Sequence, residues 1–206
     1  DAIVDRDAGL NIPAGTQERS GEQALAFLRT RHAIGDGSDL GRISNQQQFM
    51  SSLVRKLSST EVLTDPAALF RLAYAATDAV TPSQSLASPT RMVQLALTLK
   101  DINFDDIVFV QYPTGYDADN PNKVLPKRDA GDALFAALAA GSAIDLTGGT
   151  SAGKSTIEVP QDGTPAPPDA PVEPVPGESV APDRVQLPSD ITGQTANQRT
   201  CTVANR

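Results

Sequence analysis

Tryptophan is absent from this chain of 206 residues, histidine and cysteine occur once each, and methionine twice. Each shortage removes a class of function. The one cysteine, Cys201, has no internal partner for a disulfide and reads as an inert tail thiol. The one histidine, His32, excludes a multi-histidine metal site and reads as structural or incidental rather than catalytic. Three tyrosines and six phenylalanines disfavour a stacking platform for bases or sugars. No run of about 18 apolar residues occurs, so no segment reads as membrane-spanning, and no secretory signal is visible. Basic residues are outnumbered, 17 Lys and Arg against 25 Asp and Glu. That balance argues against general affinity for nucleic acid, which needs a basic surface. It leaves room for one basic pocket, because focusing of charge is local.

What is present divides the chain in two. Nine of its 16 prolines fall between Pro160 and Pro188, and the run from Thr164 to Pro176 has no apolar periodicity. It reads as an extended linker without a core of its own. The expectation is a folded part over residues 1–140 and a Gly/Ser/Pro-rich acidic linker and tail over 141–206, mostly disordered. Asp1, Ala2, Ile3 and Val4 open the chain without an initiator Met, as the tail of a strand might, and suggest that a preceding segment is missing.

Within 1–140 the patterns predict helices mixed with some strand. Ala24, Leu25 and Leu28 share one face of a short helix over 21–28. Leu40, Ile43, Met50, Leu53, Val54 and Leu57 form a helical stripe over 39–57, with Asp39 as its N-cap or first-turn acid. Asp65 before Pro66, and Ser88 before Pro89, each open a further helix with proline at its first position. Residues 107–112 read as a buried strand ended by Pro113, and 127–140 as a last helix. The fold class is α/β or α+β, without internal repeats.

The most informative stretch runs from Leu28 to Gln47. It gathers Arg29, Arg31, Arg42, Asp39 and Gln46 into a short span. Arg29 and Arg31 share a face if the chain is extended there, whereas on a helix they would diverge. Arg42 and Gln46 stack on one helical face, and Asp39 is placed to orient Arg42 by an ion pair. Guanidinium groups bind phosphate oxygens bidentately and keep their charge, so three of them suit a pyrophosphate. They also suit phosphoryl transfer, in which negative charge is spread over the phosphate oxygens. Solvated charge on two helices is the plainer reading of the same spacing.

Gly21-Glu-Gln-Ala-Leu-Ala-Phe-Leu-Arg-Thr-Arg-His32 resembles the G-x-x-A-L-x-Y-x-R-x-R signature of the LytR-CpsA-Psr family. Ser38-Asp-Leu-Gly-Arg-Ile-Ser-Asn-Gln-Gln47 resembles its D-x-G-R-x-x-R-Q-Q signature. Ile12-Pro-Ala-Gly15 and the strand ending at Tyr112-Pro113 look like that family too, so the resemblance spans roughly residues 1–140. It implies the C-terminal portion of a family-type catalytic domain over residues 1–140, with a mixed central sheet flanked by helices. It implies a cell-envelope enzyme, at the extracytoplasmic face of the membrane or in the wall. Such an enzyme moves a glycopolymer from a polyprenyl-pyrophosphate carrier onto peptidoglycan. By match of position, Arg29, Arg31 and Arg42 would be catalytic, and with Asp39 and Gln46 would bind the substrate pyrophosphate, Asp39 supporting Arg42.

Two departures qualify the match. Asn45 stands where the family usually has a second arginine, which weakens one phosphate contact or surface charge. Only 28 residues precede Arg29, whereas the family's magnesium-binding aspartates, another arginine and several strands lie farther upstream. Asp5, Arg6 and Asp7 sit too close to the R-x-R motif to be those residues. Magnesium ligands and the membrane anchor are therefore expected in a segment outside this chain. The alternative function is a non-catalytic polyprenyl-phosphate-binding or wall-associated module.

Residues 148–155 match G-x-x-x-x-G-K-[ST], with Lys154 and Ser155 in the phosphate and magnesium positions of a P-loop. That loop requires a buried strand before it and a helix after it. Residues 142–147 are a feeble strand and 156–160 are no helix, so a nucleotidase is the weakest reading.

Overall fold

The computed structural model describes residues 1–84, 86–99, 102–120, 122–151, 154–159 and 184–205. Strands β1 (Ile3–Asp5) and β2 (Leu10–Ile12) make an antiparallel hairpin with Ile3 opposite Ile12. Helix α1 (Gly21–Arg29) packs beside it, and α2 (Asp39–Leu57) follows. Then come α3 (Thr60–Leu63), α4 (Pro66–Ala79) and α5 (Pro89–Leu99). A single 3-10 turn at Phe104–Asp106 leads into β3 (Val108–Val110), followed by β4 (Thr114–Tyr116), β5 (Val124–Pro126) and α6 (Arg128–Ala139). The remaining elements of the described residues are strands: β6 (Ala143–Leu146), β7 (Thr156–Glu158), β8 (Arg184–Leu187), β9 (Gly193–Thr195) and β10 (Thr200–Thr202).

The class is mixed α/β, and local chemistry accounts for the helix limits. Ser38 caps α2, its hydroxyl accepting from Gly41 N at 3.1 Å, while Asp39 is the first-turn acid. Asp65 caps α4 by accepting from Ala67 N at 2.8 Å, and Pro66 fills the first helical position, where its missing N–H costs nothing.

Strand pairing departs from the expected central sheet. Among the described residues the strands pair two by two: β1 with β2, β3 with β9, β4 with β5, β6 with β8, and β7 with β10. The β6–β8 pair is parallel and the others antiparallel. Residues 141–159 and 184–205 thus carry five strands, in place of the mostly disordered tail read from composition. The proline run at 164–176 lies outside the described residues.

Among the described residues two small apolar cores result. One joins Ala130, Leu134 and Ala137 of α6 to Ile144, Leu187 and Ile191. The other joins Ile3, Leu10, Ala26 and Ile34, with Ala204 packed against them. Helix α2 bridges α1 and the late strands, and its buried residues include Ser44, Asn45, Gln47 and Ser51. Met50 of the expected apolar stripe is 42% exposed, and Leu25 of α1 is exposed as well. The reason is hydrogen bonding. Gln48 Nε2 donates to Thr200 O at 2.9 Å, Gln194 Nε2 to Ser51 Oγ at 2.8 Å, and the Arg55 guanidinium to the carbonyls of Ala196 and Gln198. Polar groups are buried at little cost when their partners are buried with them.

Candidate functional site

Helix α1 ends at Arg29, and Thr30 leaves it with extended backbone. Arg29 therefore sits exposed on the last helical turn, whereas Arg31 belongs to the loop after it. The chain then turns through Gly37, which has φ of +75°, a left-handed conformation that glycine adopts without a Cβ clash. This turn brings Arg31 back to the start of α2. Its Nε donates to Gly37 O at 3.1 Å and lies 3.6 Å from Asp39 Oδ1. The same Asp39 oxygen is 3.1 Å from Arg42 Nη2, one helical turn on. Asp39 thus stands between two guanidinium groups, and Arg42 Nε is buried without an acceptor among the described residues. The amino end of a 19-residue helix adds positive potential at the same place.

Asp5 holds this corner from below. Thr30 Oγ1 donates to its Oδ2 at 2.5 Å and Arg31 N to the same oxygen at 3.4 Å, while Asp7 N and Ala8 N donate to Oδ1 at 3.1 Å. Burial pushes the Asp5 carboxyl up, but the Thr30 hydroxyl and the amides of Ala8, Arg31 and Asp7 outweigh it. They hold the group below the usual carboxylate value. Sequence reading noted Asp5 only to exclude it as a metal ligand. Its pairing with Thr30, 25 residues away, leaves no local signal.

Gln46 and Asn45 face elsewhere. Gln46 Nε2 donates to Leu28 O at 3.2 Å and Asn45 Nδ2 to Phe27 O at 2.9 Å. They satisfy carbonyls of the last turn of α1, which have no helical partner of their own. Asn45 is fully buried, and its Oδ1 also accepts from Thr202 Oγ1 at 2.7 Å. The departure at this position is thus an internal joint between α1, α2 and β10 rather than a missing surface charge. Gln46 ties the end of α1, where Arg29 sits, to α2.

A hollow of about 360 Å³ opens beside Arg31 and Asp39. Asp36 and Leu40 contribute to one side, and Tyr116, Asn122 and Val124 of the β4–β5 hairpin to the other. Tyr116 Oη donates to Asp36 Oδ2 at 3.4 Å across it. Of the expected residues Arg31 and Asp39 line this space, and Arg29, Arg42 and Gln46 do not. The Asp-Asn-Pro-Asn stretch at 119–122 marks a loop in the sequence, but that Asn122 lies across the hollow from Asp39 and Leu40 is a tertiary fact.

The P-loop-like segment has another task. Ser155 is buried, its hydroxyl donates to Gly41 O at 2.7 Å, and a strand rather than a helix follows it. A Cβ added at Gly41 would meet the Ser155 Cβ at 3.3 Å, so glycine permits this close approach. Residues 152 and 153 of the motif lie outside the described residues. No group of three or more His, Cys, Asp or Glu that would hold a metal occurs among the described residues. No helix among them is long and apolar enough to cross a membrane.

Comparison with known proteins gives two findings. The LytR_cpsA_psr family matches over residues 1–135. The chain is also 37% identical over 112 residues to the Cell wall biosynthesis protein LcpA of Corynebacterium glutamicum, an alignment covering 54% of this chain and 21% of that protein. The chain thus spans about a fifth of the length of that curated relative. No solved structure matches.

Proposed function

The chain belongs to the LytR_cpsA_psr family, and from that premise we propose that it supplies the pyrophosphate-binding arginines of a cell-envelope glycopolymer transferase. The observation that carries the reading is Asp39, which orients Arg31 and Arg42 together at the amino end of α2, beside an open hollow. An exposed ion pair of this kind adds little stability. Its use lies in holding two forked donors ready for an anion that displaces or shares the carboxylate.

In the proposed reaction the substrate is a glycopolymer on a polyprenyl-pyrophosphate carrier and the acceptor is peptidoglycan. An acceptor hydroxyl attacks the sugar-linked phosphorus, the bond to the bridging oxygen breaks, and polyprenyl phosphate leaves with the electron pair. The hydroxyl proton passes to a base that these residues do not identify. Arg31 and Arg42 neutralise charge on the phosphate oxygens as it is redistributed. Arg29, exposed at the end of α1, would reach the anion from the rim, and Gln46 would act by holding that end in place. Magnesium belongs to the reading as a second neutralising charge. The described carboxylates do not form a cluster fit to hold it, so its ligands would be outside them. The proposal includes action at the outer face of the membrane, in association with it, and in the wall.

Transfer of polymer to peptidoglycan by the protein tests this. Arg31→Ala should abolish transfer while the thermal transition moves by no more than a surface substitution requires, about 0.5 kcal/mol. Wild-type transfer by that variant would sink the assignment. Pyrophosphate binding without transfer by the wild-type protein would favour a non-catalytic lipid-phosphate-binding module.

A further inference from the structure

We propose that Asn205 is a positioning residue for the anion site. It acts through Arg31, by holding the turn over residues 31–37 that folds this guanidinium back toward Asp39 and Arg42. The inference rests on the pyrophosphate reading of Arg31 and Arg42, and adds a residue that serves it from 173 positions beyond the turn.

The turn has few backbone bonds of its own. Ile34 N donates to Arg31 O at 3.3 Å and Gly37 N to Ile34 O at 2.9 Å. The carbonyls of His32 and Ala33 and the amide of Gly35 are satisfied from outside, by residues 203–205. Val203 O accepts from Gly35 N, and Asn205 N donates to Ala33 O, each at 2.9 Å. Asn205 Nδ2 donates to His32 O at 2.9 Å. Between these bonds Ala204 bridges to Ile34, whose side chain is fully buried. Residues 203–205 therefore lie along the turn as a strap, and its polar groups find partners there rather than in water.

The Asn205 side chain meets both ends of the turn. It binds the carbonyl of His32, the residue after Arg31, and its Nδ2 lies 3.4 Å from where a Cβ on Gly37 would stand. Gly37 O is the acceptor for Arg31 Nε. The strap is fixed in turn to α2. Val203 N donates to Ser155 O at 2.8 Å, and the Ser155 hydroxyl donates to Gly41 O at 2.7 Å, between Asp39 and Arg42 in sequence. A continuous set of hydrogen bonds thus links the turn that carries Arg31 to the helical turn that carries Arg42. It sets the two guanidinium groups at one spacing about Asp39. An anion with two phosphates uses that spacing, because an arginine already held in place loses little rotamer freedom on binding. Asn205 is itself exposed, so shortening its side chain opens no cavity in a core.

The test uses the whole 206-residue chain and two readouts. Without ligand, NMR follows exchange of the Arg31 Nε–H with water. Asn205→Ala should speed that exchange at least about threefold by loosening the turn. The Arg184 Nε–H, bound to Asp145 elsewhere in the fold, should keep its wild-type rate. With ligand, calorimetry compares inorganic pyrophosphate with inorganic phosphate. Asn205→Ala should weaken pyrophosphate about fivefold to tenfold and phosphate less than about twofold, since only pyrophosphate engages both arginines. In an Arg31→Ala background the same substitution should weaken the residual pyrophosphate binding no further, because Asn205 acts only through that side chain. Unchanged exchange at Arg31, faster exchange at both arginines, equal weakening of the two anions, or an additive loss in the double variant would overturn the proposal. A wild-type chain that binds no pyrophosphate would overturn the anion reading instead, and the exchange rates alone would then decide whether Asn205 positions Arg31.

Discussion

Asp5 shows how much one residue can control at this corner. It is 6% exposed, yet it accepts hydrogen bonds from three backbone amides and one hydroxyl, and one of those amides is that of Arg31. Its folded pKa is lower than the ordinary value of 3.8, so its contribution to stability is present above that pH and is lost as pH falls through the lower folded value. Urea unfolding of the wild-type chain should therefore show a loss of stability on the acid side of pH 3.8. Asp5→Asn should remove about 1–3 kcal/mol at neutral pH by leaving donors unmatched, and should flatten that acid slope. An unchanged acid slope in the variant would refute this role. Asp39 behaves differently at the same scale. Its side chain is 56% exposed, so its ion pairs with Arg31 and Arg42 serve geometry more than stability.

At the scale of the element, α2 is the informative case. Its limits were readable because helix ends are written locally: Asp39 marked the first turn, although the cap itself is Ser38. Its orientation was not. The apolar stripe pointed inward on paper, but the face that meets β9 and β10 carries Asn45, Gln48 and Ser51. A polar helix face is legible as buried only when its partners are known, and here they lie more than 140 residues away. The consequence can be measured by chemical denaturation. Asn45→Ala should cost about 1–3 kcal/mol, because it strips Phe27 O of its side-chain donor and leaves the Thr202 hydroxyl with Gln48 Oε1 alone inside the protein. Met50→Ala, on the exposed side, should cost less than about 1 kcal/mol. The reverse order would show that the apolar stripe, not the polar face, packs inward. The arginine motifs were legible in the same partial way. Their spacing marked Arg31, Asp39 and Arg42, whereas the Gln46 bond to Leu28 and the hairpin wall at Tyr116 depend on which elements meet.

At the scale of the whole molecule, the late strands are part of the fold. Leu187 and Ile191 complete the core under α6, Ala204 bridges to Ile34, and β9 is the hydrogen-bonding partner of β3. A chain ended after Ala140 would leave Leu134 and Ala137 uncovered and β3 unpaired. It should lose cooperative unfolding, as followed by circular dichroism against urea. A sharp transition at the midpoint of the whole chain would contradict this. The close approach of Gly193 to Phe109 makes the same dependence local, since an added Cβ would lie 2.2 Å from Phe109 O.

The sequence by itself determined the mixed class, the positions of the principal helices, and the R-x-R and D-x-G-R motifs that mark the family. Each of these depends on side chains within a few turns of one another. Tertiary structure alone decided that Asp39 faces two arginines, that Asn45 is an internal joint, and that Ser155 packs on α2 instead of cradling a nucleotide. It also decided that the described residues on both sides of the proline run return to close two cores. Those outcomes depend on contacts between distant segments, and neither hydrophobic periodicity nor motif spacing carries information about which polar groups will meet.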